Sequence, residues 1–315
     1  MEFRHQPVMF NEVIEGLRLK PKGIYVDCTI GGGGHSQAIL DFQPDCQIIG
    51  IDQDPNALQA AERRLAAYKN RVSYFHSNFL YLDRVLIELG LAEVDGILLD
   101  LGVSSAQLDQ KERGFSYQHN AKLDMRMDPS NPKTAYDLVN NLSIEQLTEI
   151  ISKYGEERWA KRIAEFIDIQ RKKQPIETTS QLTAVIKAAI PRKARLEGPH
   201  PASRTFQALR IAVNDELKVL QEALHKAVDF LKPEGRLCVI SFHSLEDRIV
   251  KTAFKELSSS CICPPGLPIC GCNKQELIKI ITRKPLVPDR AEISKNPRAR
   301  SAKLRVCERL HKEEV

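Results

Sequence analysis

Apolar positions between residues 24 and 100 alternate between two rhythms. A β-branched and aromatic run from Ile24 stops at the glycines Gly31 to Gly34, and further short apolar runs span Gln47 to Ile51, Val72 to His76 and Asp95 to Asp100. Each reads as a strand. Between them Ser36 to Phe42 suits a helix, and Leu58, Ala61, Leu65 and Tyr68, then Leu82, Val85, Leu86 and Leu89, recur at helical spacing, the last set ending at Gly90. Strands alternating with helices predict a doubly wound, mostly parallel α/β sheet. The run to Asp100 is apolar throughout, so it belongs near the centre.

From Gln110 to Pro201 the strand rhythm disappears. Leu147, Ile150, Ile151 and Tyr154, then Trp159, Ile163 and Phe166, then Leu182, Val185, Ile186 and Ala189 mark three helices, the first opened by the capping pair Ser143 and Gln146. The sheet pattern then resumes. Phe206 through Leu231 trace one face of a long helix ended by Pro233-Glu-Gly235, Arg236 to Phe242 is a strand, and Ser244 to Leu257 is a helix. Ile278 to Ile281 and Leu304 to Cys307 complete the sheet. The expected organisation is a core over 1–109 and 202–315, interrupted by an all-helical insert at 110–201.

Composition narrows this picture only a little. The 315 residues are 42% hydrophobic, enough for one large domain or a core with an insert. A net charge of +5 permits a nucleic-acid partner without requiring one. No apolar run has the length of a membrane span and Met1-Glu-Phe-Arg-His5 carries no signal core, so a cytoplasmic protein with no membrane partner is expected. Most single charges on the insert, among them Arg158, Lys161, Arg162, Arg171, Lys172 and Lys173, read as solvated faces. The basic exit segment Arg192 to Arg204, taken as irregular backbone, is the better candidate for phosphate contact.

The glycine turn carries the first chemistry. A phosphate-cradling loop would end in Gly-Lys-Ser/Thr, whereas this one ends in Gly34-His35-Ser36, and a dinucleotide pattern begun at Gly31 or Gly32 puts Ser36 or Gln37 where a glycine is needed. An adenosine ligand without a pyrophosphate fits. Asp52 closes the second strand about 20 residues on, the spacing at which a carboxylate meets ribose hydroxyls, and this favours a ligand over a purely structural turn. Asp54-Pro55 then reads as the cap and first residue of a helix.

At the end of the fourth strand stands Asp100-Leu-Gly-Val-Ser-Ser-Ala-Gln107. With Gly33-Gly-His35, Arg113-Gly-Phe-Ser116, Leu123-Asp-Met-Arg-Met-Asp128, Tyr154-Gly-Glu-Glu-Arg158, Arg204-Thr-Phe-Gln-Ala208, Ile240-Ser-Phe-His-Ser-Leu-Glu-Asp-Arg248 and Asn296-Pro-Arg-Ala-Arg-Ser301, it makes the chain resemble a bacterial family, the ribosomal RNA small-subunit methyltransferase H enzymes. These use S-adenosylmethionine to methylate the exocyclic N4 of a cytidine in the decoding region of 16S ribosomal RNA. The resemblance implies a Rossmann-like class I methyltransferase sheet and cofactor contacts at Gly33, Gly34, His35, Asp52, Phe79, Asp100 and Gln107. It also implies 16S ribosomal RNA, within the small subunit, as partner, and no obligate protein partner is expected. Thr29 stands where methyltransferase glycine patterns usually have Gly.

A cytosine amine is a weak nucleophile facing a strong electrophile, so positioning should supply much of the rate. Acceptors near the amine favour the geometry with a free lone pair. Asp100 with Ser104 and Ser105 offers such acceptors, and Asp100 and Ser105 are taken as catalytic. Phe115, Tyr117 or Phe242 could stack on the base, and His243 reads either as a proton acceptor or as a structural histidine. A DNA amino methyltransferase would carry an Asp/Asn-Pro-Pro-aromatic motif here, which is lacking. A binding module without turnover would not need the glycine turn, Asp52 and Asp100 together. Cys261-Ile-Cys263 and Cys270-Gly-Cys272 read first as reduced loop thiols and second as a zinc knuckle. Methyl transfer itself calls for no metal.

Overall fold

A computed structural model of the chain describes residues 7–104, 107, 110–196, 198, 200–261, 263, 271–272 and 274–311. These divide into a sheet unit, residues up to Gly102 with Leu217 onward, and a helical unit, Val103–Glu216. The expected insert boundaries of 110 and 201 therefore lie inside the observed helical unit, which also takes in the helix Ser203–Asn214.

The sheet unit holds seven strands: β1 (Ile24–Asp27), β2 (Gln47–Asp52), β3 (Val72–His76), β4 (Val94–Asp100), β5 (Leu231–Ser241), β6 (Ile278–Ile280) and β7 (Lys303–Arg309). Their order is β3-β2-β1-β4-β5-β7-β6. The pairs among β1 to β5 are parallel, and β7 runs against both its neighbours. β4 sits at the centre and is buried from Val94 to Leu99, as its unbroken apolar run requires.

Side chains alternate between the two faces of a strand, and here both faces are apolar. Val26, Ile49, Ile51, Ile97, Leu99, Leu237 and Val239 pack with residues of the helices Leu82–Glu88, Glu216–Asp229 and Ser244–Leu257. Tyr25, Ile48, Leu98, Cys238, Ile240, Leu304 and Val306 pack with the helices Phe10–Leu17, Gly34–Phe42 and Pro55–Arg64. The doubly wound architecture expected from the alternating rhythm is present.

In the helical unit no strand occurs among the described residues. Among the described residues its α-helices are Ala135–Asn141, Ile144–Gly155, Ala160–Arg171, Thr179–Ala189, the short Arg192–Arg195, and Ser203–Asn214, with a single 3-10 turn at Lys111–Arg113. Leu147, Ile151, Ile163, Ile167, Leu182, Ile186, Phe206 and Leu209 are buried together. Ser143 and Gln146 cap each other as the sequence predicts, and Thr134 with Asp137 and Thr178 with Gln181 do the same.

Two departures from expectation concern the long helix and the strand that follows it. The long helix begun at Phe206 is broken at Asp215, which adopts the left-handed conformation (φ 50°) between two separate helices. Pro233-Glu234-Gly235 lies within β5 as an irregularity, where the pairing register to β4 shifts between Val94 and Gly96.

Several motif stretches of this unit turn out to hold backbone together. Arg204 donates through Nη1 to Glu156 O (3.0 Å) and Gln207 through Nε2 to Tyr154 O (3.0 Å), so both satisfy carbonyls at the end of the helix Ile144–Gly155. A Cβ on Gly155 would stand 2.6 Å from Arg204 O. Gly155→Ala is thus expected to lower stability by roughly 1–3 kcal/mol, seen as a lower thermal midpoint. Asp124 grips Arg126 in a two-pronged pair (2.9 and 2.8 Å), and Arg113 reaches the carbonyls of Arg126 and Met127. No helix among the described residues is long and apolar enough to cross a membrane.

Candidate active site

Strand order reverses between β1 and β4, since β2 and β3 follow on one side and β5 on the other. Open α/β sheets bind ligands beyond the carboxyl ends of such a strand pair. Two acids stand there, Asp27 closing β1 and Asp100 closing β4. Asp27 is almost wholly buried and accepts from Ser36 Oγ (2.7 Å) and Thr29 N–H (3.3 Å). Burial raises its pKa, opposed by the Ser36 hydrogen bond. It clamps the start of the helix Gly34–Phe42 to the strand before it. Thr29 Oγ1 in turn accepts from the backbone N–H of Asp100 (2.7 Å), which gives a physical reason for Thr in place of the usual glycine. Sequence reasoning missed Asp27 and Ser36, although an acid closing the strand before a glycine turn was a signal.

The glycine turn is held on both sides. Ile30 N–H donates to Ile51 O, and Gly33 N–H to Ile30 O. Gly31 (φ 52°) and Gly33 (φ 77°) adopt conformations that favour glycine. A Cβ on Gly33 would press on Leu65 at 3.1 Å, and one on Gly34 would lie 3.2 Å from Arg64 Nη1. At Gly32 a Cβ would meet nothing within 4 Å, so it is Gly32 that faces open space. Asp52 accepts from Gly31 N–H through one oxygen and Asp54 N–H through the other, both at 2.9 Å. Burial pushes its carboxyl up to about 6, against the pull of those two hydrogen bonds.

His35 and Asp100 face each other. Nε2 of His35 lies 3.5 Å from Oδ2 of Asp100, an ion-pair separation too long for a well-formed hydrogen bond. Both ring nitrogens of His35, and Oδ1 of Asp100, are buried without a hydrogen-bond partner among the described residues. Burial lowers the His35 pKa, but the carboxylates of Asp100, Asp27 and Glu292 outweigh it and raise the value overall. Phe79 begins a short helical turn after β3 and packs, half-buried, on the same apolar cluster as Ile49 and Ile51. Asn78 beside it caps Leu80 N–H (2.9 Å) and donates to Gln53 Oε1 (2.8 Å).

The sheet unit therefore brings His35 to Asp100 and Asp52 to the glycine turn. Gln107 belongs to the helical unit, where it is buried and exchanges two hydrogen bonds with Ser104: Ser104 N–H donates to Oε1 (3.0 Å) and Gln107 N–H to Ser104 Oγ (3.2 Å). Ser105 lies outside the described residues. Among the possible stacking rings, Phe115 is buried and Tyr117 lies flat against His200 with centroids 4.4 Å apart. Phe242 is half-buried. His243 caps the helix Ser244–Leu257, its Nδ1 accepting from Glu246 N–H (3.4 Å).

The basic residues of the helical unit also sort themselves. Arg171 and Lys172 both pair with Asp168 (2.9 and 2.7 Å), and Arg158 and Arg162 lie over the rings of Trp159 and Phe166. Arg192, Lys193 and Arg195 make no ion pair among the described residues. They stand on the four-residue helix after Pro191 rather than on the irregular backbone expected.

Sheet order, glycine turn and acidic strand ends together define a nucleoside-binding α/β protein. More narrowly, the chain belongs to the MraW methylase family, whose model matches residues 2–310. It is 55% identical over 311 residues to the ribosomal RNA small subunit methyltransferase H of Clostridioides difficile strain 630, covering 98% of this chain and 100% of that one. The protein of the same name from Heliobacterium modesticaldum is 55% identical over 312 residues, with 98% and 100% covered. That of Brevibacillus brevis is 53% identical over 311 residues, with 98% and 99% covered.

Proposed function

We propose that the chain transfers a methyl group from S-adenosylmethionine to the exocyclic N4 of a cytidine in the decoding region of 16S ribosomal RNA. Family membership supports the reaction class. The observation that carries the site is the set of buried, unpaired polar atoms on His35 and Asp100 at the point where strand order reverses. A buried polar atom without a partner costs roughly 1–3 kcal/mol, a cost that a ligand with matching donors and acceptors removes.

S-adenosylmethionine, when bound, supplies an electrophilic methyl on a sulfonium. The chain's own residues have to bind, orient and exclude water. Asp52 accepts from the ribose hydroxyls, Phe79 covers the adenine face, and Gly33 and Gly34 contribute backbone contacts from a turn whose open side is at Gly32. His35 faces one oxygen of Asp100 at 3.5 Å, and the other, Oδ1, is left to accept from an amine, either that of the methionine end or that of the target base. Ser105 adds a further acceptor and Gln107 a cofactor contact. The helical unit, with Arg192, Lys193 and Arg195, engages the RNA within the small subunit, in the cytoplasm and without an obligate protein partner.

Asp52 gives this assignment a pH signature. Its carboxyl, at about 6, is charged above that pH and neutral below it. Cofactor affinity measured by calorimetry is expected to fall as pH drops through about 6. Asp52→Asn should bind roughly 10- to 100-fold more weakly, the worth of a charge-assisted hydrogen bond, and should lose that part of the pH dependence. Equal affinity and an unchanged profile would remove Asp52 from the site. The function itself is tested by incubating the chain with tritiated S-adenosylmethionine and free 16S RNA, small subunits or duplex DNA. Label in RNA or subunits supports the reading; label in DNA alone overturns it.

A further inference from the structure

The segment after the helix Ser244–Leu257 returns to the sheet at β6, and its two ends are tied where Leu277 N–H donates to Leu257 O (2.9 Å). Within it the Sγ atoms of Cys261, Cys263 and Cys272 all lie within 4.8 Å of one another. Cys261 and Cys272 are eleven residues apart, yet their sulfurs are separated by 3.9 Å. Zinc bound to thiolates at about 2.3 Å in tetrahedral geometry spaces the sulfurs about 3.8 Å apart. Cys263 N–H points at Cys261 Sγ (3.3 Å), an arrangement that disperses thiolate charge and orients a ligand. Ser259 Oγ fixes the Cys261 backbone, donating to its carbonyl (2.7 Å) and accepting from its N–H (3.3 Å).

We propose that Cys261, Cys263 and Cys272 bind one zinc ion that staples this segment. Three convergent thiols are one more than a disulfide uses, and soft sulfur donors select zinc over the hard cations. Binding converts three thiols to zinc-bound thiolates and releases three protons, so affinity rises with pH. Cys270 lies outside the described residues and is not part of the assigned donor set. The ion sits at the carboxyl end of a 14-residue helix about 21 Å long, whose other end is capped by His243 beside the end of β5. Its role is structural, remote from the chemistry assigned to Asp100.

The test uses the full chain purified with reductant and without chelator. Elemental analysis should find about one zinc per chain, and Cys272→Ser should lose most of it. After the metal is stripped, titration with Co2+ should produce a thiolate-to-cobalt charge-transfer band that saturates at about one equivalent. That titration needs no variant, so it decides the matter even if Cys272→Ser does not fold. Absence of zinc together with absence of the cobalt band overturns the proposal, as does a mass spectrum showing two of these cysteines joined in a disulfide. Methyl transfer by the stripped chain is measured alongside, so failure of the metal site and failure of the catalytic reading remain distinguishable.

Discussion

Asp100→Ala should lower methyl transfer at least ~10²- to 10³-fold, the usual cost of removing one preorganised polar group from a reacting centre. The side chain ends the central strand, where Thr29 Oγ1 fixes its backbone and His35 faces one of its oxygens at 3.5 Å. The other oxygen is buried and unpaired, so the loss is of an acceptor that the fold itself leaves unused. RNA binding should survive, because the carboxylate takes no part in phosphate contact. Asp100→Asn separates charge from shape. Asp100 is among the carboxylates that raise the His35 pKa, so the asparagine variant should show that pKa displaced downward when the imidazole is followed by NMR titration. If Asp100→Ala turns over normally, the acceptor lies elsewhere and the pairing with His35 is only structural.

Replacing Arg192, Lys193 and Arg195 together should produce the opposite failure. Cofactor affinity should stay at the parent value, while RNA binding weakens in a salt-dependent way. Each lost contact to single-stranded phosphate reduces the slope of log K against log salt by about 0.7, so three contacts change it by about 2. Part of the activity should return at low salt or high RNA concentration. These three cations make no ion pair among the described residues, unlike Arg171 and Lys172, which Asp168 already holds. An unchanged salt slope would mean that another face of the helical unit meets the RNA.

What the sequence revealed follows how local each feature is. β3 and the helix Ser244–Leu257 begin and end where the apolar pattern puts them, because both are set by residues within the element. Asp54 caps its helix through Asn56 N–H and Pro55 follows as its first residue, chemistry carried by adjacent positions. The break at Asp215 was invisible because the apolar spacing runs on from Val213 through Leu217 to Leu220. Its cause is tertiary: Asn214 is tied at both ends to the segment around Met125 and Met127, and Asp215 turns left-handed beside it.

The site shows the same division. The glycine turn and Asp52 were legible from spacing, and the hold of Asp52 on Asp54 N–H is local, but its hold on Gly31 depends on β2 lying beside β1. Asp27 and Ser36 are nine residues apart and meet only because the turn folds back. Gln107 is instructive in the other direction. Ser104-x-x-Gln107 carries the same capping signature that identified Ser143, and its local role could have been read from the chain.

Methylation of a cytidine amine of small-subunit ribosomal RNA by this chain can be read out by nucleoside mass spectrometry. Small subunits lacking the modification would be incubated with the chain and S-adenosylmethionine, and the 16S RNA digested to nucleosides and to mapped fragments. N4-methylcytidine is expected at a single decoding-region position, and absent when Asp100→Ala replaces the parent chain. A methyl group on a ring carbon, on a ribose oxygen, or on cytidines outside that region would contradict it.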